Sequence, residues 1–260
     1  MNENPASSPD YAPAAPQPTQ VALRLPSSPP RVVYTILGIT VLMYLFQLAT
    51  PNYYYGLDLP TFWGAKINQL IRAGQLWRLI TPILLHDHNS ILHIGFNMYA
   101  LIIFGPSLER YFGHRRFLLL YILTAFTGNV LSFLLSSGYS IGASTAIFGL
   151  IGAEGVFLFQ NRKLFGSQFK SAIGNIIFVV VVNLFIGLAP GIDDWGHIGG
   201  LLGGLIFAWF AGPRWGVDGV FPALYLVDKR EPREVLTGAA VVLLIFGALA
   251  MIGMLFPIVQ

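Results

Sequence analysis

The chain has 260 residues, 55% of them hydrophobic and 10% charged, with a mean hydropathy of +0.65. Soluble domains carry about 25% charged residues, so this composition excludes a water-soluble core and indicates an integral membrane protein. The absence of cysteine excludes disulfides and thiolate chemistry, and a scattered net charge of +3 excludes a nucleic-acid surface.

Residues 1–30 hold eight of the 17 prolines among Ala, Ser and Gln. Such a segment buries too little surface to offset its ordering entropy, which predicts a disordered tail. It lacks a basic segment followed by a short apolar run, so it is not read as a cleaved signal peptide. Apolar stretches near 32–50, 90–106, 117–136, 144–160, 172–189, 196–212 and 235–258 match the roughly 17 to 25 residues a spanning helix needs. The stretch 51–89 holds Trp63, Trp77, Lys66, Arg72 and Arg78 among apolar residues, a mixture suited to the membrane interface. Between the sixth and seventh spans, 213–234 reads as a cytoplasmic loop. The predicted division is therefore a tail (1–30), a six-span core (31–212), that loop, and a seventh helix (235–260).

Orientation follows from charge. Arg24 and Arg31, Arg110, Arg115 and Arg116, Arg162, Lys163 and Lys170, and Arg214, Lys229, Arg230 and Arg233 put 12 of the 15 Lys and Arg on one side. The positive-inside rule makes that side cytoplasmic, with the N-terminus inside and, after seven spans, the C-terminus outside. The opposite loops "SSGYS" and "APGIDD" have no Lys or Arg.

Three polar residues then fall at one depth. Ser144 lies 16 residues from the cytoplasmic end of its span near Gln160, His197 lies 15 from Gly212, and His93 lies 16 from Glu109, each roughly 22 to 24 Å at 1.5 Å per residue. A serine in a spanning helix most often bonds a backbone carbonyl, and glycine pairs most often serve packing. An intramembrane histidine is a functional candidate by default, however. A serine hydroxyl becomes a nucleophile when a base in reach takes its proton, and at the shared level His197 can be that base. Gly200 and Gly204 share a helical face with His197, and Gly149 and Gly152 on the Ser144 span are placed to receive them. His93, Asn97 one turn deeper, and the backbone N–H of Ser144 are candidate donors to an oxyanion.

These motifs together resemble the rhomboid family of intramembrane serine proteases over residues 32–212. "GAST" around Ser144 resembles its nucleophile motif, "HIGGLLGG" its catalytic-histidine motif at His197, and "HIGFN" the His and Asn of its oxyanion hole, here His93 and Asn97. "LWR" ending at Arg78 resembles its first-loop motif, and Gly105 with Glu109–Arg110 the motif after its second span. The resemblance implies a rhomboid-like six-helix bundle with one extra C-terminal helix, an all-α polytopic membrane protein. It also implies a Ser144–His197 dyad without a third acidic member and without cofactor or metal, and transmembrane protein substrates with loosened helices. Gln75 stands where the family often has Glu, Thr145 where Gly is frequent, and Phe148 where a Tyr often stacks on the histidine.

His86, Asp87, His88 and His93 offer donors for a divalent ion, but they read as the wet start of a span. Glu154, about ten residues or roughly 15 Å below Ser144, is too deep to orient His197. Asp193 and Asp194 read as a solvated loop. The expected function is a serine endopeptidase cutting transmembrane segments near the outer boundary of a prokaryotic cell membrane. The alternatives are a catalytically silent rhomboid-like binding protein and a small transporter. Both Ser144 and His197 argue against the first, and polar residues away from the midplane argue against the second.

Overall fold

A bilayer offers backbone amides no water, so apolar runs of this length satisfy their N–H and C=O groups internally, as helices. The computed structural model describes residues 28–54 and 56–256; most of the proline-rich tail expected at 1–30 lies outside the described residues. In chain order come α1 (Arg31–Ala49), α2 (Leu59–Gly64), α3 (Asn68–Arg72), two 3-10 turns (Leu76–Leu79 and Thr81–Leu84), α4 (Ile91–Phe112), α5 (His114–Leu135) and α6 (Ser144–Gln160). Then follow α7 (Arg162–Phe165), α8 (Gln168–Gly187), α9 (Asp194–Ala211), β1 (Trp215–Val220), β2 (Ala223–Asp228) and α10 (Pro232–Leu255). Among the described residues five helices, α1, α4, α5, α8 and α10, are long and apolar enough to cross a membrane. α6 is apolar but has 17 residues, and α9 opens on the polar stretch Asp194 to His197.

α5 and α6 are the most buried helices, α5 burying Phe117, Leu120, Tyr121, Val130 and Phe133 among others. α9 packs closely into the angle between α5 and α6 along its glycines. Its Gly200 and Gly204 lie on the carbonyls of Thr145 and Gly149 of α6, where a Cβ would collide with backbone. Its Gly199 lies on the Thr127 carbonyl of α5, and its Gly203 on the Thr127 side chain. Small residues at i and i+4 let membrane helices approach backbone to backbone, and here two such ribs on one helix dock two neighbours. Gly204 meets Gly149 as the sequence suggests, whereas Gly152 faces Leu201. α8 is the opposite case: Gly187, its last residue, is its one buried position.

The cytoplasmic loop read at 213–234 contains a two-stranded antiparallel hairpin, in register from Trp215↔Asp228 to Val220↔Ala223. Asp228 pairs with Arg116 at 2.6 Å, and the N–H of Trp215 donates to Asn161 Oδ1 at 2.8 Å. The hairpin is thereby fastened to the ends of α5 and α6.

Candidate active site

The segment ahead of Ser144 is held from outside. Lys66 and Ser140 exchange backbone hydrogen bonds of 3.0 and 3.1 Å, and Gly142 N–H donates to Pro82 O at 3.0 Å. The Lys66 ammonium donates to Ser136 O and Gly138 O, and the Asn68 amide to Ser136 O. Burial pushes the Lys66 pKa down to about 8, with Asp193 acting in the opposite sense. The interfacial stretch 51–89 is itself pinned by Arg78, whose side chain is buried and donates to Ala65 O, Phe62 O and Gln75 Oε1, each at 2.7 Å. Gln75 therefore keeps a bond to Arg78 despite replacing Glu. A guanidinium suits this work because its five N–H groups form a rigid fork.

Gly142 has φ of +130°, and a Cβ there would lie 2.8 Å from His93 Nε2 and 3.7 Å from Ser144 Oγ. Both the backbone conformation and the space demand glycine. The same geometry fixes His93 beside Ser144. His93 Nδ1 accepts the N–H of Asp87 at 3.3 Å, so in the neutral ring the proton sits on Nε2, the nitrogen that faces Gly142. Asn97 is buried, but its amide donates to His93 O at 2.8 Å, one turn back on its own helix.

His197 reaches the same place from α9. Phe148 lies one turn after Ser144, on the same face of α6, and its ring stacks on His197 with centroids 4.2 Å apart and planes 7° from parallel. The phenyl ring thus supplies the stack that a tyrosine often makes. His197 Nδ1 is buried without a hydrogen-bond partner, and among the described residues no hydrogen bond joins Ser144 to His197. Catalytic bonds are commonly long in resting sites and tighten when substrate binds. Ser144 opens α6, so the N–H groups of that first turn have no acceptor within the helix.

The other polar candidates separate. His86 is fully buried, not at a wet helix start; it packs edge-on against His93 at 5.0 Å, and neither ring nitrogen has a partner. His88 instead pairs with Asp58 at 3.1 Å. Asp193 caps α9 by accepting the Gly196 N–H at 3.1 Å and accepts from Ser132 Oγ on α5, so it is a helix anchor and not a solvated loop residue. Aspartate immediately before a helix is a preferred N-cap, and that signal was available in "APGIDDWGH". Glu154 Oε2 is buried without a partner and joins neither histidine.

Comparison with known proteins gives the same direction. The Rhomboid domain family matches residues 73–214. The chain is 41% identical over 180 residues to "Rhomboid protease GluP" of Bacillus subtilis, covering 69% of this chain and 34% of that protein. It is 37% identical over 185 residues to "RHOMBOID-like protein 9, chloroplastic" of Arabidopsis thaliana, covering 70% and 42%. To "RHOMBOID-like protein 1" of the same plant it is 33% identical over 180 residues, covering 68% and 43%. The chain thus spans less than half the length of each of these relatives.

Proposed function

Because the chain belongs to the rhomboid family, we propose that it is an intramembrane serine endopeptidase, cutting transmembrane-segment substrates near the outer membrane boundary with Ser144 and His197. The observation that carries this reading is the Phe148–His197 stack, which brings the imidazole to the helix face that Ser144 opens. Ser144 Oγ attacks the scissile carbonyl carbon while His197 Nε2 takes its proton. The charge that develops on the carbonyl oxygen is received by His93 Nε2–H, the Asn97 amide and first-turn N–H groups of α6. Collapse expels the amine, which leaves with the proton from His197. Water then repeats the sequence on the acyl-serine, with His197 again the base. In this reading the N-terminus is cytoplasmic, 31–212 form a six-span catalytic core, and α10 adds a seventh span ending outside.

The missing Ser144–His197 hydrogen bond favours a second reading, a binding protein that keeps the fold without the chemistry. One experiment separates them. Purified protein is incubated with a transmembrane model substrate, product masses are read, and a fluorophosphonate probe is applied in parallel. Wild type should cleave and be labelled, Ser144→Ala should do neither, and His197→Ala should be labelled weakly at best. Groups that act as a unit are strongly non-additive, so the double variant should be about as inactive as either single one. Labelling that survives in Ser144→Ala moves the nucleophile to another residue, with Thr145 tested first. A wild type that neither cleaves nor labels overturns the protease reading.

A further inference from the structure

The run "DDWGH" puts two carboxylates just before His197. Asp193 is fully engaged: one oxygen caps the N–H of Gly196, and the other accepts from Ser132. Asp194, the first residue of α9, is three positions before His197 and so shares its helix face. Its Oδ1 lies 3.7 Å from His197 Nδ1. Both atoms are buried, and neither has a hydrogen-bond partner. A carboxylate present merely for the helix dipole would turn to the free N–H groups of its own first turn, as Asp193 does. Gly187, at the end of α8, closes the pocket from the other side, for a Cβ there would run into the Asp194 carboxylate.

Resting on the protease reading, we propose that Asp194 is a positioning residue for His197, a third acidic member where the family resemblance implies a dyad. At 3.7 Å the two atoms are just beyond hydrogen-bond range, so a small rotation of either side chain closes the contact. Closing it places the proton of the neutral ring on Nδ1 and leaves Nε2 as the acceptor for the Ser144 proton. When the ring takes that proton, its Nδ1–H faces a carboxylate and makes a charge-assisted bond. Asp194 itself takes no proton.

The test uses full-length protein and a transmembrane model substrate, with nitrogen-15 spectra of the histidine rings assigned by variants. Asp194→Ala should lower kcat at least tenfold with KM unchanged. The loss should stay short of the roughly 10⁴-fold lost when a fully bonded triad carboxylate is neutralised, because the resting contact is open. Asp194→Glu, which keeps a carboxylate, should recover part of kcat, whereas Asp194→Asn, whose amide N–H can face Nδ1 and favour the wrong tautomer, should not. The His197 spectrum should move from the Nδ1–H towards the Nε2–H form in Asp194→Ala. Gly187→Ala, which displaces the carboxylate, should lower kcat in wild type and add little in the Asp194→Ala background. If wild type cleaves through Ser144 while Asp194→Ala leaves kcat and the ring spectrum unmoved, this inference fails alone. If wild type neither cleaves nor takes the fluorophosphonate, the protease reading fails and takes this one with it.

Discussion

His93 and Asn97 differ in readiness for the same task. His93 holds its Nε2–H toward Gly142 through the bond at its other nitrogen, whereas one Asn97 N–H is spent on its own helix. Loss of one oxyanion donor costs about 2.7 to 4 kcal/mol of transition-state stabilisation. His93→Ala should therefore lower kcat within that range, and Asn97→Ala by less, in single-turnover cleavage; equal wild-type rates in both would remove them from the oxyanion assignment. Behind His93, His86 is held neutral: burial, then the neighbouring His93, pushes its pKa down from 6.5 to about 3. The sign follows from proton counting. Below pH 6.5 the unfolded chain binds a proton at this position that the folded chain refuses, so stability is full above 6.5 and declines as pH falls toward 3. His86→Phe keeps a buried ring without the titration, and thermal unfolding between pH 7 and 4 should show a flatter acid limb in that variant. None of this was visible in "HDHNSILH", where polar letters at a helix start look solvated; which of them the loop folds inward is decided by Gln47, whose amide bonds the His86 backbone in both directions at 2.8 and 3.0 Å.

At the scale of elements, α1 has no side-chain cap of its own, since Pro30 precedes it. Its first N–H groups are received by α4: Glu109 Oε1 and Oε2 accept from Val32 and Val33, each at 2.8 Å. The helices cross closely there, with Gly105 leaving room for Val33. Losing a cap costs about 0.5 to 2 kcal/mol, and stranding buried N–H groups about 1 to 3. Glu109→Ala should thus lower stability by about 2 kcal/mol in detergent unfolding, while the exposed Arg110→Ala stays within about 0.5. A Glu109→Ala as stable as wild type would show the cap to be dispensable. Apolar runs made the helices legible, because hydropathy is a local property; α6 begins at Ser144 and ends at Gln160 as the sequence indicates. α4 runs on to Phe112 through Pro106, and membrane helices tolerate an internal proline in this way. The hairpin went unread because "WGVDGV" and "ALYLVD" alternate weakly amid charge, and Asp194 because a loop aspartate says nothing of the imidazole one turn on. Reciprocal contacts of this kind exist only once two elements are side by side.

For the molecule as a whole, charge asymmetry predicts a cytoplasmic N-terminus and an outside C-terminus. A reporter active only in the cytoplasm, fused after Gln260, should stay silent, and the same reporter at the N-terminus should be active; signal at both ends would put the chain's crossings at an even number. The helices are not equal partners in crossing. α1, α4, α5, α8 and α10 meet the length and hydropathy of a span, whereas α6 is short and α9 brings Asp194 and His197 with it. A segment with such residues partitions poorly into lipid by itself, and the glycine ribs of α9 have value only against α5 and α6. During biogenesis, then, the self-inserting helices make the scaffold, and the serine- and histidine-bearing helices enter the bilayer as its dependants. A nascent or truncated chain lacking that scaffold has no means of bringing the two together, so on the protease reading reactivity would be withheld from the membrane until assembly is finished.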